Sequence, residues 1–337
     1  MEIETFATLP GGEAVSRVRL SGGGLHASIL SWGATVQDLR LDGHAPPLVL
    51  GFPDFDPYPQ HGMFFGAIAG RYANRIANGR FAIGGESYQL DRNFLCKHML
   101  HGGSYGTFCR NWTIAEVGPG HATLTLDDRD GEMGFPGNCR LSVTISLPGD
   151  GVLAFSMRAT TDKATIVNLA HHGYFNLDGS DTVLDHEVRI DAGHFLPVDE
   201  EFIPTGEPAS LDGSNLDFRK ARALRREVDG RQVLYDHNYC LSGVRTGMRE
   251  IAKVRSPKSG VAMTLSSTEP GLQFYAGEHI APTAPGLSGK LYGQYAGMCL
   301  EPQIWPDAPN RPDFPIALLS PGETYRQETQ YRFVREE

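Results

Sequence analysis

Alternation of apolar and polar residues is the dominant pattern along this chain. Its clearest case is the segment 141–147, where Leu, Val or Ile occupies every second position and Ser or Thr the positions between. Because successive strand residues point to opposite faces, this pattern predicts a strand with one buried face. A Pro-Gly-Asp-Gly turn follows at 148–151, and the alternation resumes at Leu153, Phe155 and Met157, which predicts a hairpin.

Shorter alternating stretches around 123–126, 188–190 and 261–265 extend the same prediction. Helical periodicity is scarce: its best candidate is 218–228, where Ala221, Leu224 and Val228 could share one face of one or two turns. No internal repeat and no linker interrupts the chain. Many short strands without intervening helices predict an all-β protein, a sandwich or barrel, folded as one domain over residues 1–337.

Composition narrows the class of protein. The 337 residues are 40% hydrophobic and 21% charged, and the formal net charge is −10. The sequence contains no run of Lys or Arg, so nucleic acid is not an expected partner. The first residues lack a signal-peptide pattern, and no apolar stretch approaches the ~18 residues of a membrane-spanning helix. Five cysteines, an odd number without CxxC spacing, predict reduced thiols. We therefore expect a cytoplasmic protein with no membrane partner.

Polar side chains that a strand core would not choose concentrate in a few segments. Four of these are dense and two are weaker, and in chain order they read GRYANRI (70–76), LHGG (100–103), NLAHHGYFNL (168–177), YDHNY (235–239), EPGLQFYAG (269–277) and CLEPQIWPD (299–307). Because charged and amide side chains are mostly exposed unless they have a purpose, these segments are the candidates for chemistry.

Two adjacent histidines, His171 and His172, stand in the third segment. If 167–177 is one strand, its period of two places His172, Tyr174 and Asn176 on one face and His171 on the other. A single histidine is more often a hydrogen-bonded structural residue than a catalytic one. The polar row on the face of His172 makes the two interpretations about equally strong for that residue.

His101 directly precedes two glycines, which allow a backbone to pass close to a ligand or to adopt positive φ. His98 and His101 have the HxxH spacing of some metal sites, but further ligands are not evident, so a metal site is the weaker interpretation. Glu301 follows an apolar segment and precedes Pro302, surroundings that raise the pKa of a carboxyl group toward that of a general base. A salt-bridged glutamate at a strand end is the alternative.

Aromatic residues in these segments offer flat apolar faces on which a pyranose ring can stack. Core packing is the default interpretation for most of them, since large aromatic side chains are usually buried. The residues concerned are Tyr72, Phe274, Tyr275 and Trp305.

The six segments, taken in order, resemble the aldose 1-epimerase (galactose mutarotase) family, and the resemblance covers the chain from Arg71 to Asn310. It implies a large antiparallel β-sandwich of the galactose mutarotase type, the supersandwich. It also implies an isomerase that interconverts the α and β anomers of free aldoses by ring opening and reclosure, without a metal or cofactor. The substrate is then a small monosaccharide, and the protein is a monomer or a homodimer.

The resemblance also implies a role for individual residues. It makes His172 the general acid at the ring oxygen, Glu301 the general base at the anomeric hydroxyl, and His101 an assistant near the ring oxygen. The sugar hydroxyls are held by four further residues: Arg75, Asp236, Asn74 and Gln273. A histidine and a glutamate suit this chemistry because each can exchange a proton near neutrality.

Two positions depart from the family pattern, and either one can alter sugar preference or pH dependence if it faces the site. His171 stands where the family commonly has Asn, and His98 where it often has an amide. The pair Arg71 and Arg75 keeps a hexose-phosphate epimerase open as an alternative, although no further basic cluster lies near the motifs. A non-catalytic sugar-binding protein on the same fold is another alternative, and a metal-dependent hydrolase is the weakest.

Overall fold

The computed structural model describes residues 3–61 and 64–336. Apart from one short helix, α1 (Pro57–His61), and four 3₁₀ turns, the regular structure of these residues consists of β-strands. The strands of the first half are β1 (Ile3–Thr8), β2 (Ala14–Gly22), β3 (Leu25–Leu30), β4 (Thr35–Leu41), β5 (Ile68–Ala69), β6 (Arg75–Ile76), β7 (Arg80–Ile83), β8 (Glu86–Gln89), β9 (Met99–Leu100), β10 (Thr113–Gly118), β11 (His121–Asp128), β12 (Cys139–Gly149), β13 (Val152–Thr161) and β14 (Thr165–Ile166).

The second half of the chain continues the same architecture, with several strands only two residues long. Its strands are β15 (Ala170–His171), β16 (Tyr174–Phe175), β17 (Glu187–Ile190), β18 (His194–Phe195), β19 (Ala209–Ser210), β20 (Arg222–Ala223), β21 (Glu227–Val228), β22 (Arg231–Gln232), β23 (Asp236–Cys240), β24 (Arg249–Arg255), β25 (Val261–Ser267), β26 (Gly271–Tyr275), β27 (Met298–Gln303), β28 (Leu318–Leu319) and β29 (Tyr325–Arg335). The 3₁₀ turns are Ala77–Gly79, Thr107–Cys109, Glu132–Gly134 and Ala308–Asn310.

Three antiparallel sheets contain most of the strands. A four-stranded sheet has the order β1-β2-β3-β4, a nine-stranded sheet the order β10-β11-β12-β13-β29-β25-β24-β17-β20, and a six-stranded sheet the order β16-β27-β26-β23-β18-β19. The remaining strands form short pairs, among them β5 with β15 and β6 with β9. The prediction of an all-β fold is confirmed.

The hydrophobic core lies between the nine-stranded and six-stranded sheets. Apolar residues of β12, β13 and β29 belong to the same buried cluster as Phe274 of β26 and Leu300 of β27. The hydroxyl of Tyr331 in β29 crosses this core and donates to the carbonyl of Leu300 at 2.9 Å. Because one face of the six-stranded sheet is covered in this way, its polar residues are left to the opposite face.

The strands predicted from alternation are confirmed as β11, β12, β13, β17 and β25. Their apolar positions are buried and the residues between them are more exposed, as in the alternating burial of β12. The predicted hairpin joins β12 to β13 through Asp150 and Gly151, whose φ angles of 50° and 69° are both positive. Two such residues form the turn that matches the twist of a hairpin, and Asp-Gly is a preferred sequence for it.

The helix predicted for 218–228 is wrong, because this segment forms the short strands β20 and β21. Leu224 is buried while Val228 is exposed, so the apolar residues do not share a face. The guanidinium of Arg222 lies 3.8 Å from the centre of the Phe218 ring and donates to the carbonyls of Asn215, Asp217 and Ala223. These contacts, together with the pairing of β20 with β17, hold the backbone extended.

No helix within the described residues is long and apolar enough to cross a membrane. The five cysteines all lie in the described part of the chain and are free thiols, in line with the sequence.

Candidate active site

All seven residues predicted for the site line one cavity of about 220 Å³ at the exposed face of the six-stranded sheet. Asn74, Arg75 and His101 come from the first half of the chain, His172 from the middle, and the other three from the last third. Five further residues complete the lining: Phe64, Leu100, Tyr174, Tyr275 and His279.

Three adjacent strands of the six-stranded sheet supply the two carboxylates and the amide of the cavity. Glu301 on β27 pairs directly with Gln273 on β26, and Asp236 on β23 pairs with Tyr275, two residues along β26. Because side chains alternate along a strand, Glu301, Gln273 and Asp236 fall on the same face. The intervening Leu300 and Phe274 point into the core, which explains why polar and apolar residues alternate in these motifs.

A short pair of strands, β6 with β9, brings Arg75 beside the segment that carries His101. Asn74 and His101 both have positive φ, and the backbone N–H of His101 donates to the carbonyl of Asn74 at 3.0 Å. The glycine that follows is required by close backbone approach: a Cβ at Gly102 would lie 1.8 Å from the carbonyl oxygen of Gly70. Gly102 therefore permits the close contact between the GRYANRI and LHGG segments.

His172 reaches the cavity from a break between two short strands. β15 pairs with β5, β16 pairs with β27, and the backbone of His172 hydrogen-bonds to Gly66 and Ala67 instead. The prediction of a single strand over 167–177 is therefore wrong, because the segment passes from one sheet to another. The period of two still holds locally, since His172 and Tyr174 line the cavity and His171 does not.

His171 points into the core, where its ring stacks on Phe155 at 4.3 Å and neither ring nitrogen has a hydrogen-bond partner. Asn176, the third member of the predicted polar row, donates to the carbonyls of Ser180 and Ala296 and lines a different cavity. That second cavity is larger, about 330 Å³, but none of the described residues lining it is a histidine or a glutamate. We therefore regard the smaller cavity as the reactive one.

His172 and Glu301 face each other, with 3.7 Å between Nε2 and Oε2. Burial lowers the pKa of His172 from its ordinary 6.5 to about 3. Burial, and then repulsion by Asp236, raises the pKa of Glu301 well above its usual value, while Arg75 opposes the increase. Both shifts favour a neutral histidine beside a protonated glutamate, so the pair holds one proton that either partner can carry. Among the described residues, Oε2 of Glu301 has no hydrogen-bond partner, so it is available to a ligand.

His101 lies beside His172, with ring centres 5.1 Å apart. Its Nδ1 accepts a hydrogen bond of 3.1 Å from the backbone N–H of Asn74. Burial, followed by repulsion from His172 and Arg75, lowers the pKa of His101 well below the ordinary value, so the ring is neutral at neutral pH. A neutral ring whose Nδ1 accepts must carry its proton on Nε2, which makes His101 a hydrogen-bond donor.

The sugar-holding residues predicted for the site form one connected group. Gln273 Nε2 donates to Asp236 Oδ1 at 2.5 Å, and Arg75 Nη2 lies 3.6 Å from Asp236 Oδ2. The Arg75 guanidinium lies between the rings of Phe94 and Phe202, 4.6 and 4.8 Å from their centres, and its Nε is buried without a partner. These contacts hold a planar donor and a carboxylate in fixed orientation, as recognition of hydroxyl groups requires.

A metal ion is the other possibility for this cluster, because donor atoms of His101, His172 and Glu301 lie within 4.8 Å of one another. The hydrogen bonding of His101 argues against a metal ion bound by these three residues. A ligating histidine normally donates its other N–H to an acceptor, whereas Nδ1 of His101 faces the N–H of Asn74. The proton on Nε2 then occupies the lone pair that a metal would need.

Several candidates from the sequence lie outside the cavity. His98 accepts a hydrogen bond from the backbone of Asn78 and pairs with Glu201 at 3.0 Å, so it is not a partner of His101 in an HxxH site. Three of the four candidate stacking aromatics are core residues with at most 7% exposure, and only Tyr275 lines the cavity. Those three are Tyr72, Phe274 and Trp305.

Sequence reasoning missed Phe64 and His279 among the lining residues. Phe64 packs on both His101 and His172, with ring centres 4.7 and 5.4 Å away. An aromatic pair at 64–65 is typical of core residues and offered no signal for a site. His279 lies two residues after Gly277, the end of the EPGLQFYAG segment. This closeness to a predicted site segment could have identified it as a candidate lining residue.

Known proteins of similar sequence and structure define the class of this protein. It is an isomerase that acts on carbohydrates: a family model described as aldose 1-epimerase matches residues 16–332. The chain is 41% identical to a galactose mutarotase of Mus musculus, with 97% of each chain covered. It is 36% identical to an aldose 1-epimerase of Escherichia coli (strain K12), with 99% of each covered. This chain belongs to the aldose 1-epimerase family.

Solved structures agree with the fold. A homologue of aldose epimerases from C. elegans superposes with a TM-score of 0.90 at 30% identity, covering 96% of this chain and all of that one. A galactose 1-epimerase from Lactobacillus acidophilus superposes with a TM-score of 0.85 at 27% identity, with 100% and 99% coverage. The galactose mutarotase-like β-sandwich implied by the sequence is therefore confirmed.

Proposed function

We propose that this protein interconverts the α and β anomers of free aldoses of the galactose or glucose type, with His172 as general acid and Glu301 as general base. The observation that supports it best is the 3.7 Å separation of His172 Nε2 and Glu301 Oε2 across one cavity. Their opposite pKa shifts allow a single proton to move between a buried base and a buried acid. We also propose a cytoplasmic location, which the five free cysteine thiols of the described residues support.

Ring opening begins with the imidazolium form of His172 and the carboxylate form of Glu301. Glu301 takes the proton of the anomeric hydroxyl, the bond between C1 and the ring oxygen breaks, and His172 gives its Nε2 proton to that oxygen. The open aldehyde rotates about C1–C2 and presents its other face. Reclosure returns a proton from Glu301 to the new anomeric hydroxyl and from the ring oxygen to His172, so the pair begins and ends with one proton.

The remaining residues orient the sugar. His101, with its proton on Nε2, donates to the ring oxygen while the charge on that atom changes. Arg75, Asp236, Gln273 and Asn74 hold the other hydroxyl groups, which keeps C1 between the acid and the base. The flat ring of Tyr275 offers a surface for the C–H face of the pyranose.

A free sugar fits the charges better than a hexose phosphate does. Arg71, the first basic residue of the GRYANRI segment, is fully buried and donates to Asp128 Oδ2 at 2.7 Å, so it is not available to a ligand. Arg75 is partly neutralised by Asp236, and Glu301 adds another acidic group. A phosphate dianion in this cavity would meet two carboxyl groups and one cation.

Substitution of Arg71 is predicted to affect stability, and substitution of Arg75 is predicted to affect substrate binding. We expect Arg71→Met to lower the free energy of unfolding by about 3 kcal/mol, because it leaves buried Asp128 with only Arg110 as ionic partner. Arg75→Met should instead raise KM by about tenfold with little change in stability. Urea denaturation and initial-rate kinetics distinguish the two variants. A large KM change in the Arg71 variant would favour the alternative of a hexose-phosphate epimerase.

Polarimetry tests the proposed function. Wild-type protein should accelerate the mutarotation of freshly dissolved α-D-galactose and α-D-glucose, and a chelator such as EDTA should not reduce that rate. A hexose-phosphate epimerase would require the phosphorylated sugar, and a sugar-binding protein would shift the melting temperature on adding sugar without changing the optical rotation faster than buffer does. An unchanged spontaneous rate across common aldoses would contradict the proposal.

The pH profile should be flat through neutrality. At every pH between the lowered pKa of His172, about 3, and the raised pKa of Glu301, the pair holds one proton. Neither the acidic nor the basic limb of the kcat/KM profile therefore falls at the ordinary pKa of histidine. The charged or titratable groups nearest the pair are Asp236, Arg75 and His101. Burial is the main cause of both shifts, while Asp236 adds to the increase for Glu301 and Arg75 opposes it. We expect kcat/KM, corrected for the buffer-catalysed rate, to vary less than about threefold between about pH 5 and about pH 8. A titration step near 6.5 would refute this assignment.

A further inference from the structure

The two ring nitrogens of His172 face different partners. Nε2 lies 3.7 Å from Glu301 in the cavity. Nδ1, across the ring, lies 3.5 Å from Sγ of Cys299. Cys299 has no solvent exposure and His172 is only 5% exposed. The contact between thiol and imidazole is therefore shielded from bulk water, and it can decide which nitrogen carries the proton of the neutral ring.

The position of Cys299 is determined by the sheet. It precedes Glu301 by two residues on β27, so the two side chains share the face toward the cavity. Across the sheet it pairs with Tyr174 of β16, whose side chain opposes, without outweighing, the effect of burial on the pKa of the thiol. The Tyr174 ring in turn stacks on His172, with centres 5.1 Å apart and planes at 24°. Cys299, Tyr174 and His172 thus form a closed buried group.

The direction of the thiol–imidazole contact has a chemical consequence. If S–H donates to Nδ1, the neutral ring holds its proton on Nε2 and cannot take another from the sugar there. If sulfur accepts from Nδ1–H, the neutral ring presents a lone pair on Nε2 and the charged ring presents a proton. Only the second arrangement lets Nε2 both give and take a proton during one turnover.

We propose that Cys299 is a positioning residue for His172: its sulfur accepts the Nδ1–H, which leaves the lone pair of the neutral ring on Nε2. This inference rests on the proposed function of His172, and it adds the group that selects the tautomer. The thiol stays protonated because burial, then the charges of Glu301 and Asp236, raises the pKa of Cys299 well above its usual value. It therefore orients the ring without a full negative charge that would hold the proton on the histidine.

The kinetic test compares Cys299→Ala and Cys299→Ser with Cys139→Ala, a matched loss of a buried thiol on β12 in the core, outside the cavity. Cys299→Ala should lower kcat by about tenfold to about a hundredfold with KM changed less than about twofold, the size of effect seen when a group that orients a histidine is lost. Cys299→Ser keeps an acceptor and should recover most of the loss. Equal kcat for Cys299→Ala and Cys139→Ala would overturn the proposal.

The spectroscopic test does not depend on activity. Long-range proton–nitrogen NMR correlations of His172, assigned by comparison with His172→Asn, should show a protonated Nδ1 and an unprotonated Nε2 in wild-type protein at neutral pH. Cys299→Ala should show a mixture of tautomers, and Cys299→Ser the wild-type pattern. A wild-type ring protonated on Nε2 would overturn the proposal. Absence of mutarotation by wild-type protein would instead count against the proposed function. The NMR result would still show whether Cys299 selects the tautomer of His172.

Discussion

Glu301→Gln is expected to lower kcat for mutarotation by about a thousandfold while leaving the fold intact. The amide has nearly the same shape as the carboxyl group but cannot take the proton of the anomeric hydroxyl, and loss of general base catalysis typically costs this much. His172 cannot replace it, since its Nε2 is committed to the ring oxygen. Polarimetry at saturating sugar measures the loss, and full activity in the variant would refute the role proposed for Glu301.

Stability provides the control for this variant. The pKa of Glu301 is raised in the folded protein, chiefly by burial, so its contribution to stability is complete below its ordinary pKa of 4.5 and is lost as the pH rises through the raised value. Glutamine has no such dependence. The melting temperature of Glu301→Gln should therefore equal or exceed that of wild type at about pH 8, with a smaller difference at about pH 5. A marked decrease at the higher pH would mean that the charged carboxylate stabilises the fold.

His172→Asn is expected to lower kcat by about a hundredfold to about ten-thousandfold, because it removes the group that transfers a proton to the ring oxygen and leaves only the hydrogen bond of His101 there. Its neighbour provides a matched control. His171 is equally buried but stacks on Phe155 away from the cavity, so His171→Asn should keep its kcat and lose about 1–3 kcal/mol of stability, because the smaller side chain loses this ring packing in the core.

Polarimetry of the two histidine variants at a temperature where both are folded, checked by circular dichroism, separates these effects. Loss of activity in both variants would mean that His171 reaches the substrate or holds His172 in place. Retention of activity in His172→Asn would instead indicate that His101, the neighbouring ring in the cavity, is the general acid.

Most of the site residues were predicted from the resemblance of the six segments to one family, and the period of two of strand geometry explains why several of them share a face. Glu301 and Gln273 lie in segments that form regular strands, and alternation there places polar residues opposite a buried face. The same rule distinguished His172 from His171, although the segment is not one strand. The rule worked locally because the backbone stays extended around the break between β15 and β16.

The failures arise where tertiary contacts override local pattern. The apolar spacing at 218–228 suits a helix, but Arg222 satisfies carbonyls around it and packs on Phe218, which stabilises an extended path. Phe64 offered no polar or titratable signal, and only its packing on two histidines placed it in the cavity. His98 has suitable spacing for a metal, but pairing with Glu201 makes it structural.

The sequence by itself determined the all-β class, the hairpin at Asp150–Gly151, and which side chains are able to exchange protons, since these depend on alternation, turn chemistry and side-chain type. Only the tertiary structure decided how the residues meet. It brings His172 within 3.7 Å of Glu301 across 129 positions of sequence, buries both, and shifts their pKa values in opposite directions. The physical reason is that desolvation and proximity belong to the packed fold, and no local segment contains them.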